Sequence, residues 1–391
     1  MSNLASELIA RGHRATFVHH AEARPLVEAS GAAFEPIGAD LPSLESWTRP
    51  MARIKGLVGL GGVMEGMVRF TDTFCREAPS LLRGIGADAL LVDQLEPGGG
   101  LVAEHLGLPF ASIADTLPIN REPGVPPPFV GWRYDPSDRG LKRNRGGWRV
   151  SDLLMRRVGD AVERNSARLG LPPRRRLDDC LSPRLQLSQL VPALDYPRSE
   201  LPGSFHYTGP FRRAAADAFI VPNRDGRPLV YCSLGTLQGA RSSLFRKVAE
   251  ACARLDLRLL VTTGGAPTAA LDALPGDPLV YEWVPQRAVL AHCDLVVCHG
   301  GINTVLDPLA AGLPMVVIPL AFEQSATAAR LERAGVACVI GRRSSRARLA
   351  EAIDRVRRDR RFRDSAAAVR SDMEAAGGVR RAADLIESGL T

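Results

Sequence analysis

The densest run of chemistry-bearing side chains lies between Trp283 and Gln324. Within it an apolar run, Leu295–Cys298, ends at His299; Gly300 and Gly301 follow, and a helical pattern opens near Asn303 and Thr304. Glycines allow a close backbone approach. A helix N-terminus points unpaired N–H groups outward and carries partial positive charge. A phosphate or diphosphate is the ligand such an end attracts. His299, Asn303 and Thr304 add side-chain donors at the same spot. Asp307, one turn further on the same face, is placed to accept hydrogen bonds from ribose hydroxyls. Trp283, next to Val284, offers a flat ring on which a base stacks, and Gln286 offers an amide for its polar edge. Glu323 and Gln324 close the loop after Pro319 and are candidates for sugar hydroxyls. Pro308 falls inside the helix and removes an N–H that would bond the Thr304 carbonyl, so a distortion is expected in its first turns.

Such residues need a scaffold, and the sequence reads as alternating short apolar runs and longer helical stretches. Thr16–His19, Ala89–Asp93, Phe110–Ile113, Leu185–Gln189, Leu229–Ser233, Leu259–Thr263, Leu279–Glu282, Leu295–Cys298 and Met315–Ile318 read as buried strands. Helical patterns such as Ser242–Arg254 and Gln324–Ala334 lie between them. That alternation predicts α/β architecture with parallel sheets and helices on both faces. Pro210, Pro222, Asn223 and Gly226 mark residues 210–227 as a linker between a unit at 1–209 and a second at 228–364. Residues 365–391 are Ala- and Arg-rich and helical. Pro126, Pro127 and Pro128 exclude regular helix from the middle of the first unit. Residues Ile54–Glu77 mix Gly56, Gly59, Gly61, Gly62 and Gly66 with apolar side chains. Two readings stay open there: a core-packing helix, or a mobile apolar helix at a substrate mouth or bilayer.

A chain of 391 residues is expected to form two domains. Its 45% hydrophobic and 24% charged residues are those of an ordinary globular protein. The net charge of +7 comes from scattered arginines, dense only at Arg174–Arg176 and Arg355–Arg363, and gives weak support to a nucleic-acid or membrane role. Seven cysteines follow no framework and form no CxxC pair, which reads as buried reduced thiols rather than zinc ligands. No transmembrane helix and no secretory signal are expected.

The stretch Trp283–Gln324 resembles the signature motif of family 1 glycosyltransferases. The likeness covers Trp283, Pro285, Gln286, Leu290, His292, His299, Gly301, Asn303, Thr304, Gly312, Pro314, Pro319 and Gln324. Asp307 stands where Glu is commoner, and Glu323 where Asp is commoner. The strand and turn Leu229–Thr236 is similar to the family's first donor-domain strand, which implies that Ser233, Gly235 and Thr236 lie at the diphosphate. Within the family, Asp93–Glu104, Leu187–Arg198, Phe205–Pro210 and His299–Asp307 resemble the bacterial zeaxanthin glucosyltransferases. The resemblance implies a GT-B fold, two Rossmann-like parallel-sheet domains facing a cleft. Residues 1–209 would bind acceptor, residues 228–364 nucleotide-sugar, and residues 365–391 would cross back to the first domain.

The activity implied is inverting transfer of a hexose, glucose from UDP-glucose, to hydroxyls of a lipophilic acceptor such as the carotenoid zeaxanthin. No metal and no further cofactor are expected. The partners implied are a UDP-sugar donor, a lipophilic small-molecule acceptor and a peripheral membrane contact, with no nucleic acid. The expected location is cytoplasmic, peripheral to the inner membrane. In the family a histidine after the first strand is the base, and an aspartate, here Asp93, orients it. Arg11-Gly12-His13 matches the end of the helix that follows the base, so the base would fall upstream of Met1 and the first domain is expected to lack its first strand. His13 lies a helix length away; His19 and His20 are the substitutes at hand. Two expectations stay open: an N-terminally truncated active enzyme, or a UDP-sugar-binding protein with impaired catalysis. A GT-B epimerase and a non-enzymatic sugar-nucleotide sensor are alternatives from other classes. The acceptor-half resemblance argues against the epimerase.

Overall fold

The computed structural model describes residues 1–43, 57–212, 218–222, 226–236, 239–321 and 323–390. All its sheets are parallel. In the first half, β1 (Thr16–His20) pairs with β2 (Ala33–Ile37), and β3 (Leu90–Asp93), β4 (Phe110–Ala114), β5 (Leu185–Ser188) and β6 (Phe205–Tyr207) form a four-stranded sheet in that order. Among the described residues β1 and β3 share no ladder, so the first-half strands stand as two sheets. In the second half, β7 (Leu229–Ser233), β8 (Arg258–Thr262), β9 (Leu279–Tyr281), β10 (Leu295–Cys298), β11 (Met315–Val317) and β12 (Ala337–Val339) form one sheet. Its order is β12-β11-β10-β7-β8-β9. That is the doubly wound order, in which the chain leaves β7 toward one edge and β10 toward the other.

Every strand read from the sequence is present, with no end moved by more than one residue. Three strands escaped notice: β2, β6 and β12. Each is the edge strand of its sheet. Edge strands are buried on fewer sides, so the apolar run that betrays a central strand is weak in them. The second sheet shows the period of two plainly. Val230, Cys232, Val297 and Val316 pack on one face with Phe245, Val248 and Ile353. Tyr231, Val296, Cys298 and Val317 pack on the other with Val305, Leu309 and Val369.

In helix Leu57–Gly84 the C-terminal half packs into the core, Phe74, Cys75, Ala78 and Leu82 against Leu101 and Val162, whereas Gly61 and Gly62 are exposed. Residues 44–56 lie outside the described residues. Helix Pro97–Leu106 starts with Pro97 at its first position and with Glu96 accepting from the Gly98 N–H. A Cβ on Gly99 would lie 2.4 Å from Val92, and one on Gly100 would lie 2.2 Å from the Cys180 carbonyl oxygen. The paired glycines let this helix press directly onto β3 and so fix Asp93 at the strand's end. Helix Gly378–Leu390 packs Val379, Ala382 and Ile386 against Ala111, Ile113 and Leu185 of the first half. Arg174, Arg175 and Arg176 pair with Glu104, Glu163 and Asp179 at 2.6–2.7 Å; Arg175 and Arg176 are exposed, while Arg174 is half-buried.

The two halves meet on helix Gln324–Arg333. Arg330 Nε donates to Asp195 Oδ1 at 2.9 Å, and its guanidinium lies 4.1 Å from the Tyr196 ring centroid. Arg198 Nε and the Tyr207 hydroxyl donate to Asp195 Oδ2 at 3.0 and 2.9 Å. The side chains of Asp195, Arg198 and Arg330 are 0%, 3% and 2% exposed. Burial alone raises the Asp195 pKa, but Arg198 and Arg330 together hold it below the usual carboxylate range. Asp195→Ala would strand the buried Arg330 and leave Arg198 with Glu122 alone, and we expect it to cost about 3–5 kcal/mol in urea unfolding. Because the folded pKa is depressed, the carboxylate's contribution is complete above about pH 4 and is lost as pH falls below that. The wild-type stability curve should therefore drop more steeply at acid pH than the curve of Asp195→Asn.

Candidate functional site

The site is built where β7 and β10 end side by side. Cys298 is in register with Ser233, so the two chains leave the sheet at the same level, at the switch point of the strand order. After β10 come His299, Gly300 and Gly301, and then helix Ile302–Ala310 with Gly301 as its N-cap. The N–H groups of Ile302 and Asn303 precede the first intrahelical bonds and point out of the helix end. After β7 the turn runs through Ser233, Gly235 and Thr236, with Ser233 Oγ accepting from the Gly235 N–H at 3.4 Å.

His299 sits in the crevice between these turns, 8% exposed. A Cβ on Gly235 would lie 2.8 Å from its Cε1, and one on Gly301 would lie 2.5 Å from its Nε2. The ring is held between two glycines that admit no side chain. Its Nδ1 is buried. Burial lowers the ring's pKa to about 4, against a smaller opposing effect from a hydrogen bond with the Ser233 backbone. The imidazole is therefore neutral at pH 7, beside a helix N-terminus. Gly300 takes φ +87°, and a Cβ there would meet Val317 at 2.8 Å.

Asp307 lies one turn down the helix and anchors a hydrogen-bonded chain. Its Oδ1 accepts from Arg212 Nε at 2.6 Å, and its Oδ2 accepts from Gln286 Nε2 at 3.0 Å. Gln286 Oε1 accepts from the Tyr231 hydroxyl at 3.2 Å, and that hydroxyl is 2.6 Å from Thr262 Oγ1. Arg212 Nη2 also donates to Asn303 Oδ1 at 3.2 Å. A ribose hydroxyl would have to share an Asp307 oxygen with a protein donor, which the second lone pair of each oxygen permits. The Gln286 amide, expected to face a base edge, is spent on Asp307 and Tyr231. Arg212 was missed by the sequence reading. It lies in the stretch read as a linker, and no spacing rule relates it to Asp307.

Trp283 is 64% exposed, with its indole against Gly265, whose added Cβ would lie 3.0 Å from Cζ2. Gly264 in turn approaches Gly235. The ring thus continues the wall of the same crevice and leaves one face open. Val284 packs against the core below it. Gln324 is 4% exposed, and its Oε1 accepts from the N–H groups of Leu320 and Ala321, both at 2.9 Å. Gln324 therefore clasps its own loop, and only its NH₂ group is free for a sugar hydroxyl. Burial raises the Glu323 carboxyl pKa. Helix Ile302–Ala310 continues through Pro308, which lies past the N-terminal turn and lacks the N–H that would bond the Thr304 carbonyl.

Asp93 ends β3 in the first half. Its Oδ1 accepts from the Leu95 N–H at 2.8 Å, and burial raises its pKa to about 6. Gln94, beside it, holds the following loop by donating to the Leu117 carbonyl at 2.9 Å and accepting from the Ile119 N–H. Asp93 bonds no histidine among the described residues. His13 pairs with Glu387 at 3.0 Å. His19 stacks on Phe70, with ring centroids 5.1 Å apart. His20 is buried, with Nδ1 accepting from the Glu22 N–H at 3.3 Å.

Gly301→Ala would force the imidazole out of its seat. We expect it to weaken UDP binding about tenfold by titration calorimetry, the worth of one hydrogen bond to a charged oxygen, without unfolding the chain. Arg212→Ala should loosen Asp307 and Asn303 and raise the donor KM about five- to tenfold. An unchanged donor KM would show that Arg212 serves only the fold.

The family model described as UDP-glucoronosyl and UDP-glucosyl transferase matches residues 184–372. The chain is 40% identical over 99% of its length, and 94% of the relative's, to a zeaxanthin glucosyltransferase of Pseudescherichia vulneris. It is 37% identical to a zeaxanthin glucosyltransferase of Pantoea ananas over 99% of this chain and 92% of that one. Among solved structures, the glycotransferase of kitacinnamycin superposes with a TM-score of 0.78 at 25% identity, covering 100% of this chain and 95% of that one. At that identity over that length, the chain belongs to the UDP-glycosyltransferase family: it is a GT-B glycosyltransferase that works with a nucleotide-sugar donor and an acceptor.

Proposed function

We propose that the chain transfers glucose from UDP-glucose, with inversion, to the hydroxyl groups of a lipophilic acceptor of the zeaxanthin type. The carrying observation is the neutral His299, held between two glycines at the N-terminus of helix Ile302–Ala310. The acceptor is inferred from the two relatives, whose names specify zeaxanthin.

In this reading the diphosphate lies against the Ile302 and Asn303 N–H groups, with His299, Asn303, Thr304 and the Ser233–Thr236 turn around it. The uracil stacks on Trp283. The ribose meets Asp307, and the hexose meets Glu323 and the Gln324 amide. The acceptor oxygen attacks the anomeric carbon from the face opposite the diphosphate, and the bond to the diphosphate breaks. Negative charge then grows on the leaving group, where preorganised N–H donors hold it. No metal is invoked in this scheme. Asp93, at the end of β3, is the carboxylate that favours removal of the hydroxyl proton. Among the described residues no helix is long and apolar enough to cross a membrane. We place the protein in the cytoplasm, in peripheral contact with the membrane that holds such an acceptor.

A second reading, donor binding with little transfer, is favoured by one observation: Asp93 has no histidine partner among the described residues. Incubating the chain with UDP-glucose and detergent-dispersed zeaxanthin separates the two. Mono- and diglucosides detected by mass spectrometry are the expected result. Calorimetric binding of UDP with no glucoside would favour the second reading instead. Because Asp93 must be ionised and its pKa is raised to about 6, kcat/KM should fall as pH drops through about 6. Asp93→Asn should remove that inflection and slow transfer by about 10²–10⁴-fold.

A further inference from the structure

Helix Asp138–Leu154 ends with an apolar corner turned to water. Val150, Leu153 and Leu154 are 57%, 69% and 41% exposed, and Phe129, on the loop after β4, is 41% exposed. Val150, Leu153 and Leu154 are three of the eight large apolar side chains exposed among the described residues, and helical spacing sets them on one face, so they form a patch rather than scatter. The other face of the helix, with Trp148, Ser151 and Asp152, lines a cavity of about 450 Å³ together with Phe129 and Met155.

The rim of the patch is cationic. Lys142, Arg145 and Arg149 run up the same helix, and Arg156 and Arg157 open the next one, Arg156–Arg168; all five are exposed. The nearest acids are already engaged: Asp152 is 2.6 Å from Arg121, and Asp160 is 4.0 Å from Arg156. Lys142, Arg145, Arg149 and Arg157 have no ion pair among the described residues. Exposed valine and leucine side chains flanked by cations match the interface of a bilayer that carries anionic lipid. A second copy fits badly, because a two-fold contact would set these cations against themselves.

We propose that the apolar face formed by Val150, Leu153 and Leu154, with Arg149 and Arg157 at its rim, docks the enzyme on a bilayer containing anionic phospholipid. This rests on the lipophilic-acceptor reading for its purpose, since it brings the enzyme to the phase where such an acceptor dissolves. The loop that carries Phe129 is the one Gln94 ties down beside Asp93.

The test is sedimentation of the full chain with vesicles of phosphatidylcholine alone or mixed with phosphatidylglycerol. The wild type should pellet with the mixed vesicles and be released by salt. Arg149→Glu with Arg157→Glu should reduce that partitioning more than tenfold, as about fivefold per cation implies. Leu153→Ser with Leu154→Ser should reduce it as well, whereas Leu26→Ser, on a different exposed leucine, should not. Circular dichroism and transfer to detergent-dissolved acceptor should match the wild type in all of them. The proposal is overturned if the wild type stays in the supernatant, or if both patch variants pellet like the wild type. It is equally overturned if Leu153→Ser with Leu154→Ser dissolves a dimer while the wild type ignores vesicles. Absence of transfer in detergent would undo the acceptor reading alone, because vesicle binding is read without any reaction.

Discussion

Asp195 is the carboxylate on which the two halves of this enzyme are joined. It lies out of water between Arg198 of its own half and Arg330 of the other. A charge in that place is tolerable only while the cations stay, and Arg330 is tolerable only while Asp195 stays, whereas Arg198 also has Glu122. The contact is therefore a poor source of net stability and a strong source of geometry. Arg330 belongs to the helix whose first residue is Gln324, and Gln324 clasps the loop after β11. Wherever Asp195 holds that helix, the sugar end of the donor crevice is held too. A link from the acceptor half thus sets the position of a donor-half loop.

The crevice itself depends on small residues more than on large ones. His299 is the neutral ring at the helix N-terminus, but Gly235 and Gly301 decide where it sits. Gly265 does the same for the indole of Trp283. On the acceptor side, Gly99 and Gly100 bring a helix hard against β3 and Cys180, and so settle the position of Asp93. In each case the missing Cβ permits a close approach that no rotamer change would supply. Asp307 shows the opposite device: a chain of hydrogen bonds through Gln286, Tyr231 and Thr262 stiffens the helix side of the site before any ligand arrives.

Much of this was legible in the order of residues, for a definite reason. A strand buried on both faces must be an unbroken apolar run, so β7, β10 and their neighbours announce themselves. The residues just after such a strand form a loop at the ligand-facing edge. The donor residues are also close together in sequence, since one strand, one turn and one helix present most of them. The edge strands β2, β6 and β12 escaped because partial burial leaves no such run. Arg212 escaped because its partner, Asp307, is far along the chain. The roles of Gln286 and Gln324 were read as open to ligand, because local spacing does not show that an amide is already committed inside the protein.

The sequence by itself therefore determined the parallel α/β class, the strand-turn-helix that presents His299 and Asn303, and the family likeness, all of which are local in the chain. The tertiary structure decided which polar atoms are spent and which are free. It also decided that Asp195 bridges the halves, and that the apolar end of helix Asp138–Leu154 stays in water. Those outcomes depend on which distant side chains come to share a desolvated space, and no local periodicity encodes that.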